Sequence, residues 1–252
     1  MYRDFEQEAE FIVEAYRSRR GQNAPKSLLD VGCGPGGHAV EVAKRGLSVT
    51  GLDICQEMLD YAGEKAREAG VDVALVQGDM RSFPPPPGAP FDIVVTMLGT
   101  MMHLTEVLDA KAFFQCVAAA MAPDGVFIVE LSHPGDIFDG SLTSPEALAA
   151  DRWDCEEHGR RVQVQWGSPY DRFDDIRQVL HRRVQISMSG ADVADDSYDE
   201  VVQQRFYTVG ELALLADAAG MEVEALFGET NVESALNDHD AYRCLAMLRR
   251  KQ

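Results

Sequence analysis

The sequence predicts an α/β fold around a mostly parallel sheet, and three observations carry that expectation. A short apolar run, Ser27-Leu28-Leu29-Asp30-Val31, empties into the glycine-rich stretch Gly32-Cys33-Gly34-Pro35-Gly36-Gly37. A helical segment follows, and a second apolar run from Leu47 to Leu52 ends on Asp53. Further apolar runs then alternate with helical patterns, as successive βαβ units do.

The elements follow in order. Phe5, Ala9, Ile12, Val13 and Tyr16 fall at helical spacing, so the chain is expected to open with an amphipathic helix that stops near Arg19-Arg20-Gly21. Residues His38 to Arg45 make the first crossover helix, and Gln56 to Ala69, closed by Gly70, the second. Val71 to Val76 is the third apolar run. The proline-rich stretch from Pro84 to Pro90 can be neither helix nor central strand and reads as a stiff connector. Glu106 to Met121 is a helix laid on the sheet, and Val126 to Leu131 a buried strand.

From Ser132 to Tyr207 the pattern changes to period-two alternation at Val162, Val164 and Trp166, at Leu180, Val184, Ile186 and Met188, and at Val202, Gln204 and Phe206. A small antiparallel sheet inserted after the fifth strand is expected there. The parallel pattern resumes with a helix from Val209 to Ala219 and strands at Glu222 to Phe227 and Tyr242 to Leu248. Residues 1–131 and 208–252 are therefore read as a core domain and 132–207 as an insertion on the substrate side.

Glycine spacing and the two acids set the chemistry. Glycines let the backbone turn tightly off the first strand and bring main-chain N–H groups close to a ligand. A carboxylate ending the second strand sits at the same edge and can accept both hydroxyls of a ribose. Nicotinamide enzymes share this topology, so a NAD-dependent oxidoreductase is one alternative. Asp30, two residues ahead of Gly32, argues against it, because a pyrophosphate is repelled by that carboxylate whereas an ammonium is not.

Composition excludes several classes. With 42 acidic against 23 basic residues and a net charge of −19, the chain would meet repulsion at every phosphate, so nucleic acid is not an expected partner. No apolar run approaches ~18 residues, so no membrane span is expected. The charged start lacks the apolar core of a secretory signal, and a cytoplasmic location is expected. The five cysteines form no CxxC pair and the six histidines no HxxxH or HExxH pattern, so no metal is expected. Cys33 reads as a small side chain that fits inside the loop.

Asp30-Val31-Gly32-Cys33-Gly34-Pro35-Gly36-Gly37 resembles the first motif of class I S-adenosylmethionine-dependent methyltransferases. Gln77-Gly78-Asp79-Met80 is similar to the family segment that reads the adenine edge, the run from Pro90 to Met97 to its fourth strand, and Met121 to Val126 to the turn into its fifth. Gly78-Asp79-Met80 also speaks against a nicotinamide enzyme. The segment Leu98 to Leu104, the insertion, and Tyr207 to Leu212 resemble the small-molecule branch, which includes glycine N-methyltransferase and aminosugar N,N-dimethyltransferases.

The resemblance implies a Rossmann-like, seven-stranded, mostly parallel sheet with helices on both faces. It implies S-adenosylmethionine as cofactor, S-adenosylhomocysteine as product, and methyl transfer to a small-molecule acceptor, on nitrogen in preference to oxygen. By position, Gly32, Cys33, Gly34 and Gly36 would frame the methionine part, Asp30 would support the loop, and Asp53 would hold the ribose. Asp79 and Met80 would take the adenine edge, Ile54 and Met58 would wall the adenine, and the Met97 backbone would lie near the sulfonium. Core packing is the competing role for Ile54, Met58 and Met97.

His103 is the catalytic candidate, a neutral imidazole able to accept a proton from an ammonium; a helix-capping histidine is the alternative. His133, Trp153, Trp166 and Tyr170 are candidate acceptor contacts. Either the N-terminal tyrosine that often faces substrate in this branch is missing, or Tyr2 stands in its place. A binding-only sensor of the cofactor and a homodimer both stay open at this point.

Overall fold

The computed structural model describes residues 3–21, 24–140, 142, 144, 152–157, 159–190 and 193–251. They fall into two compact units, one of Met1–Met101, Glu106–His133 and Thr208–Gln252, the other of Met102–Thr105 and Pro134–Tyr207. The first unit begins with α1 (Phe5–Arg20), β1 (Ser27–Val31), α2 (Gly37–Lys44), β2 (Ser48–Asp53), α3 (Gln56–Glu68), β3 (Val73–Gln77), β4 (Phe91–Thr96), α4 (Val107–Ala120) and β5 (Met121–Ser132). The second contributes β6 (Arg152–Glu157), β7 (Arg160–Trp166), β8 (Arg172–Asp174), β9 (Val179–Gly190) and β10 (Val193–Arg205). The chain then re-enters the first unit with α5 (Val209–Ala218), β11 (Met221–Phe227) and β12 (Arg243–Arg250).

The first unit is built on a seven-stranded sheet ordered β11-β12-β5-β4-β1-β2-β3. Strands β1, β2, β3, β4 and β5 pair in parallel, while β12 runs antiparallel to both β5 and β11. The strand order reverses beside β1, because β1 pairs with β2 on one side and β4 on the other. At such a switch point the crossovers leave on opposite faces and open a crevice beyond the strand ends. The central strands read as near-continuous apolar runs because both faces are covered.

Alternate residues of β5 show the two faces. Val126 and Ile128 pack into a cluster with Ile12, Val13 and Tyr16 of α1 and Ala39 and Val42 of α2. Phe127 points the other way, where it meets Phe113 and Phe114 of α4 edge-to-face, with ring centroids 5.8 and 5.6 Å away. Helix α5 starts with a complete capping box, Thr208 and Glu211 satisfying each other's backbone N–H groups.

Two elements run differently from the expectation. Strand β5 starts at Met121, five residues before the apolar run at Val126, because Met121 already pairs with Phe91 while Pro123-Asp124-Gly125 loops out. Strand β12 does not continue the parallel pattern; no helix separates it from β11, and a loop suffices to join antiparallel neighbours.

The second unit is an antiparallel sheet ordered β10-β9-β7-β6, with β8 pairing onto β9. The three alternating stretches lie on β7, β9 and β10. Strands β6 and β8 add to them: Arg152-Trp153-Asp154-Cys155-Glu156 is exposed on both faces, so its alternation marks no buried side, and β8 has three residues.

Candidate active site

The glycine loop leaves the end of β1 and is held against β2. Gly32 and Cys33 both donate to the Leu52 carbonyl, at 2.7 and 3.1 Å, and Gly34 donates to Asp53 Oδ2 at 2.8 Å. Gly32 has φ +74°, and a Cβ there would lie 2.4 Å from Thr100 Cγ2, so only glycine lets the loop close on the turn after β4. Gly34, at φ +50°, has the opposite surroundings: a Cβ would meet no protein atom within 4 Å, so its backbone faces open space. Gly36 precedes α2, whose first turn has no side-chain cap.

Asp53 ends β2 and does two things at once. Its Oδ2 accepts from Gly34 and its Oδ1 from the Cys55 N–H at 2.9 Å, which fixes the carboxylate while each oxygen keeps a free lone pair. Ile54 and Met58, just beyond it, are 65% and 45% exposed, so neither is a core residue. Met97 divides its roles. Its side chain belongs to the core, as packing alone would have it, but its carbonyl lies at the β4 exit, where Thr100 Oγ1 donates to it at 2.9 Å.

Asp30 is 1% exposed, and its Oδ2 has no hydrogen-bond partner among the described residues. Burial pushes its pKa up to about 6, with His38 opposing and the Asp53 carboxylate adding to the rise. Burial likewise pushes the Cys33 thiol far up, so it is not a nucleophile. Asp79 is half-buried and clasped by Arg81, whose Nε donates to both carboxylate oxygens at 2.9 and 3.0 Å. Hydrogen bonding by that guanidinium holds the Asp79 pKa down. Met80 is half-buried beside it.

Of the acceptor candidates, His133 is in the first unit, with Nε2 3.0 Å from the Leu236 carbonyl. The others belong to the second unit, except Tyr2, which lies outside the described residues. His103 closes a 3-10 turn, Thr100–His103, with its side chain at the surface, and desolvation by the surrounding protein lowers its pKa. The two residues after it are anchored: Tyr207 Oη donates to the Leu104 carbonyl, and Arg205 Nη1 to that of Thr105 at 3.2 Å. Trp153 pairs across strands with Val164, two residues before Trp166, so both tryptophans share one sheet face. Tyr170 is 88% exposed in a turn and does not join them.

With this geometry in hand, comparison with known proteins is specific. Residues 28–125 match the methyltransferase domain family. The chain is 34% identical over 228 residues to the dTDP-3-amino-3,4,6-trideoxy-alpha-D-glucopyranose N,N-dimethyltransferase of Streptomyces venezuelae, covering 90% of this chain and 87% of that one. The chain belongs to the class I S-adenosylmethionine-dependent methyltransferases. It is 27% identical over 237 residues to the dTDP-4-amino-2,3,4,6-tetradeoxy-D-glucose N,N-dimethyltransferase of Saccharopolyspora spinosa, over 94% of this chain and 78% of that one. An S-adenosylmethionine-dependent methyltransferase from Clostridium acetobutylicum has the same fold, with a TM-score of 0.78 at 16% identity over 100% of this chain and 94% of that one.

The methyltransferase takes its methyl from S-adenosylmethionine, and its rim suits that donor. The orphaned Asp30 oxygen suits a cationic group, the open Gly34 backbone admits a ligand atom, and exposed Ile54 and Met58 offer apolar surface beside the Asp53 carboxylate. Sequence reasoning missed Arg81, although it directly follows the Gly78-Asp79-Met80 motif. It also missed a buried ion cluster in this methyltransferase. Glu8 Oε2 lies 2.6 Å from His38 Nε2, while Arg243 Nη1 reaches Glu8 at 3.2 Å and Glu130 at 3.4 Å. Burial raises the Glu8 pKa, but His38, Arg3 and Arg243 outweigh it and the net shift is downward. Single charges inside the apolar strands β5 and β12 were the available signal.

Proposed function

We propose that this methyltransferase N-methylates a small-molecule amine, with an aminosugar as the first class to test. The supporting observation is the extent of the likeness to aminosugar N,N-dimethyltransferases, which runs over 90% of the chain and so beyond the donor-binding residues 28–125. S-adenosylmethionine, when bound, supplies a methyl already activated by the sulfonium charge.

This chain's residues then bind and align. Gly32, Cys33, Gly34 and Gly36 frame the methionine part, and the buried Asp30 carboxylate favours its ammonium. Asp53 accepts the ribose hydroxyls, Asp79 and the Met80 backbone take the adenine edge, and Ile54 and Met58 flank the ring. The Met97 backbone stands at the β4 exit, on the sulfonium side. Alignment of nucleophile, methyl and sulfur is the main contribution, worth up to about 11 kcal/mol in favourable cases.

An amine arrives protonated at neutral pH and cannot attack until it loses that proton. His103, kept neutral by its lowered pKa, accepts the proton at a ring nitrogen. We assign acceptor recognition to the second unit, through Trp153, Trp166 and Tyr170, with His133 and Tyr2 as further contacts. The net charge of −19 supports a small acceptor over nucleic acid, and five free cysteines support a reducing, cytoplasmic setting. The test is a panel of amines, phenols, carboxylates and dTDP-aminosugars, scored by S-adenosylhomocysteine release. Turnover restricted to amines is expected; turnover of phenols or carboxylates alone overturns the nitrogen assignment, and none with any compound defeats the small-amine reading.

A further inference from the structure

The turn that leaves β4 is held in an unusual conformation by an unusual group. Leu98 has φ +59°, a left-handed backbone that a branched side chain rarely adopts. Its N–H donates to Glu130 Oε2 at 2.9 Å, and Glu130 is only 5% exposed. The other oxygen of that carboxylate takes Arg3 and Arg243. A carboxylate buried near the end of an apolar strand carries a large desolvation cost, and losing a partner would leave its charge uncompensated. Charge strengthens its grip on the Leu98 N–H. The same turn also meets the glycine loop, where Thr100 fills the space a Gly32 Cβ would need.

We propose that Glu130 is a positioning residue for methyl transfer: it fixes the Met97-Leu98 peptide at the β4 exit, and Arg3, brought by the segment before α1, with Arg243 holds Glu130 in place. The inference rests on the proposed position of the Met97 backbone on the sulfonium side. It makes the N-terminal segment part of the site's geometry without any contact to a reacting atom. Arg3 also pairs with Glu8 at 3.0 Å, so α1 and the turn are tied by one guanidinium.

The test uses Glu130→Gln, Arg3→Gln and Arg3→Lys in the full chain bound to S-adenosylhomocysteine, which needs no acceptor. Small misplacements at a reacting centre cost rate far more than affinity, so Glu130→Gln should bind S-adenosylhomocysteine within about threefold of the parent and exchange amide hydrogens over Met97 to Thr100 at least about tenfold faster. Turnover of the parent's fastest panel amine should fall about tenfold at unchanged donor KM. Arg3→Gln should give the same pattern more weakly, and Arg3→Lys should regain part of it. Arg3 lies at the rim, 21% exposed, so its variants keep the question answerable if Glu130→Gln does not fold. Unchanged exchange over Met97 to Thr100 in the folded variants, or a turnover loss that tracks donor affinity, overturns the proposal. A parent that turns over no amine defeats the small-amine reading alone, because the exchange result stands without an acceptor.

Discussion

A buried ion cluster of the first unit contrasts with two exposed ion pairs of the second, which also buries one pair of its own, Arg182–Asp171, with side chains 13% and 1% exposed. In the first, Glu8, Glu130 and Arg243 are buried at the carboxyl edge of the sheet, with Arg243 paired to both carboxylates. In the second, Arg161 pairs with Asp154 and Arg183 with Asp199 on an open sheet surface, each side chain more than 40% exposed. Losing one partner of a buried cluster strands an uncompensated charge, at about 3–5 kcal/mol, whereas an exposed pair contributes little because water screens it. The difference separates a rim whose geometry is specified from a sheet whose surface can change at little cost.

Phe127→Ala removes the ring at the centre of the aromatic cluster under α4 and should lower unfolding free energy by about 3–5 kcal/mol in urea titration. A loss below about 1 kcal/mol would mean the first unit is no more tightly specified than the second. Asp53→Ala removes both the loop anchor and the proposed ribose acceptor, so S-adenosylhomocysteine affinity should fall at least about tenfold by calorimetry. Unchanged affinity would overturn that assignment.

His103→Ala should keep donor affinity and lower turnover by about 10²-fold. Because desolvation disfavours the imidazolium, the acidic limb of the parent's kcat should lie below the ordinary histidine value of 6.5, with activity present above it and lost as pH falls through it. An acidic limb that persists unchanged in the alanine variant would remove His103 as the base. The smallest change is expected from Arg161→Ala, with no resolvable shift in the thermal unfolding midpoint, and a clear drop would show that the exposed pairs of the second unit are structural.

Legibility in the sequence followed the range of the interaction. Gly32, Gly34 and Asp53 were readable because the strand, the turn and the next strand end lie within 27 residues, from Ser27 to Asp53, and the spacing itself states the geometry. The alternation on β7, β9 and β10 was readable for the same reason. Strand β6 was not, because Arg152 and Asp154 alternate with Trp153 and Cys155 on a sheet whose two faces are both largely exposed there. The competing core role for Ile54 and Met58 could be judged only from their exposure, since an apolar residue after a strand reads the same in either place.

The glycine loop and the acid at the second strand end are written in the local sequence, because each depends on neighbours along the chain, whereas the switch point beside β1 needs its pairing with the distant β4. Tertiary structure decided how the rim is held. Arg243 meets Glu8 across 235 residues of sequence and Arg3 meets Glu130 across 127. A carboxylate's partner is chosen by where sheet and helix bring a guanidinium, and no local spacing encodes that encounter.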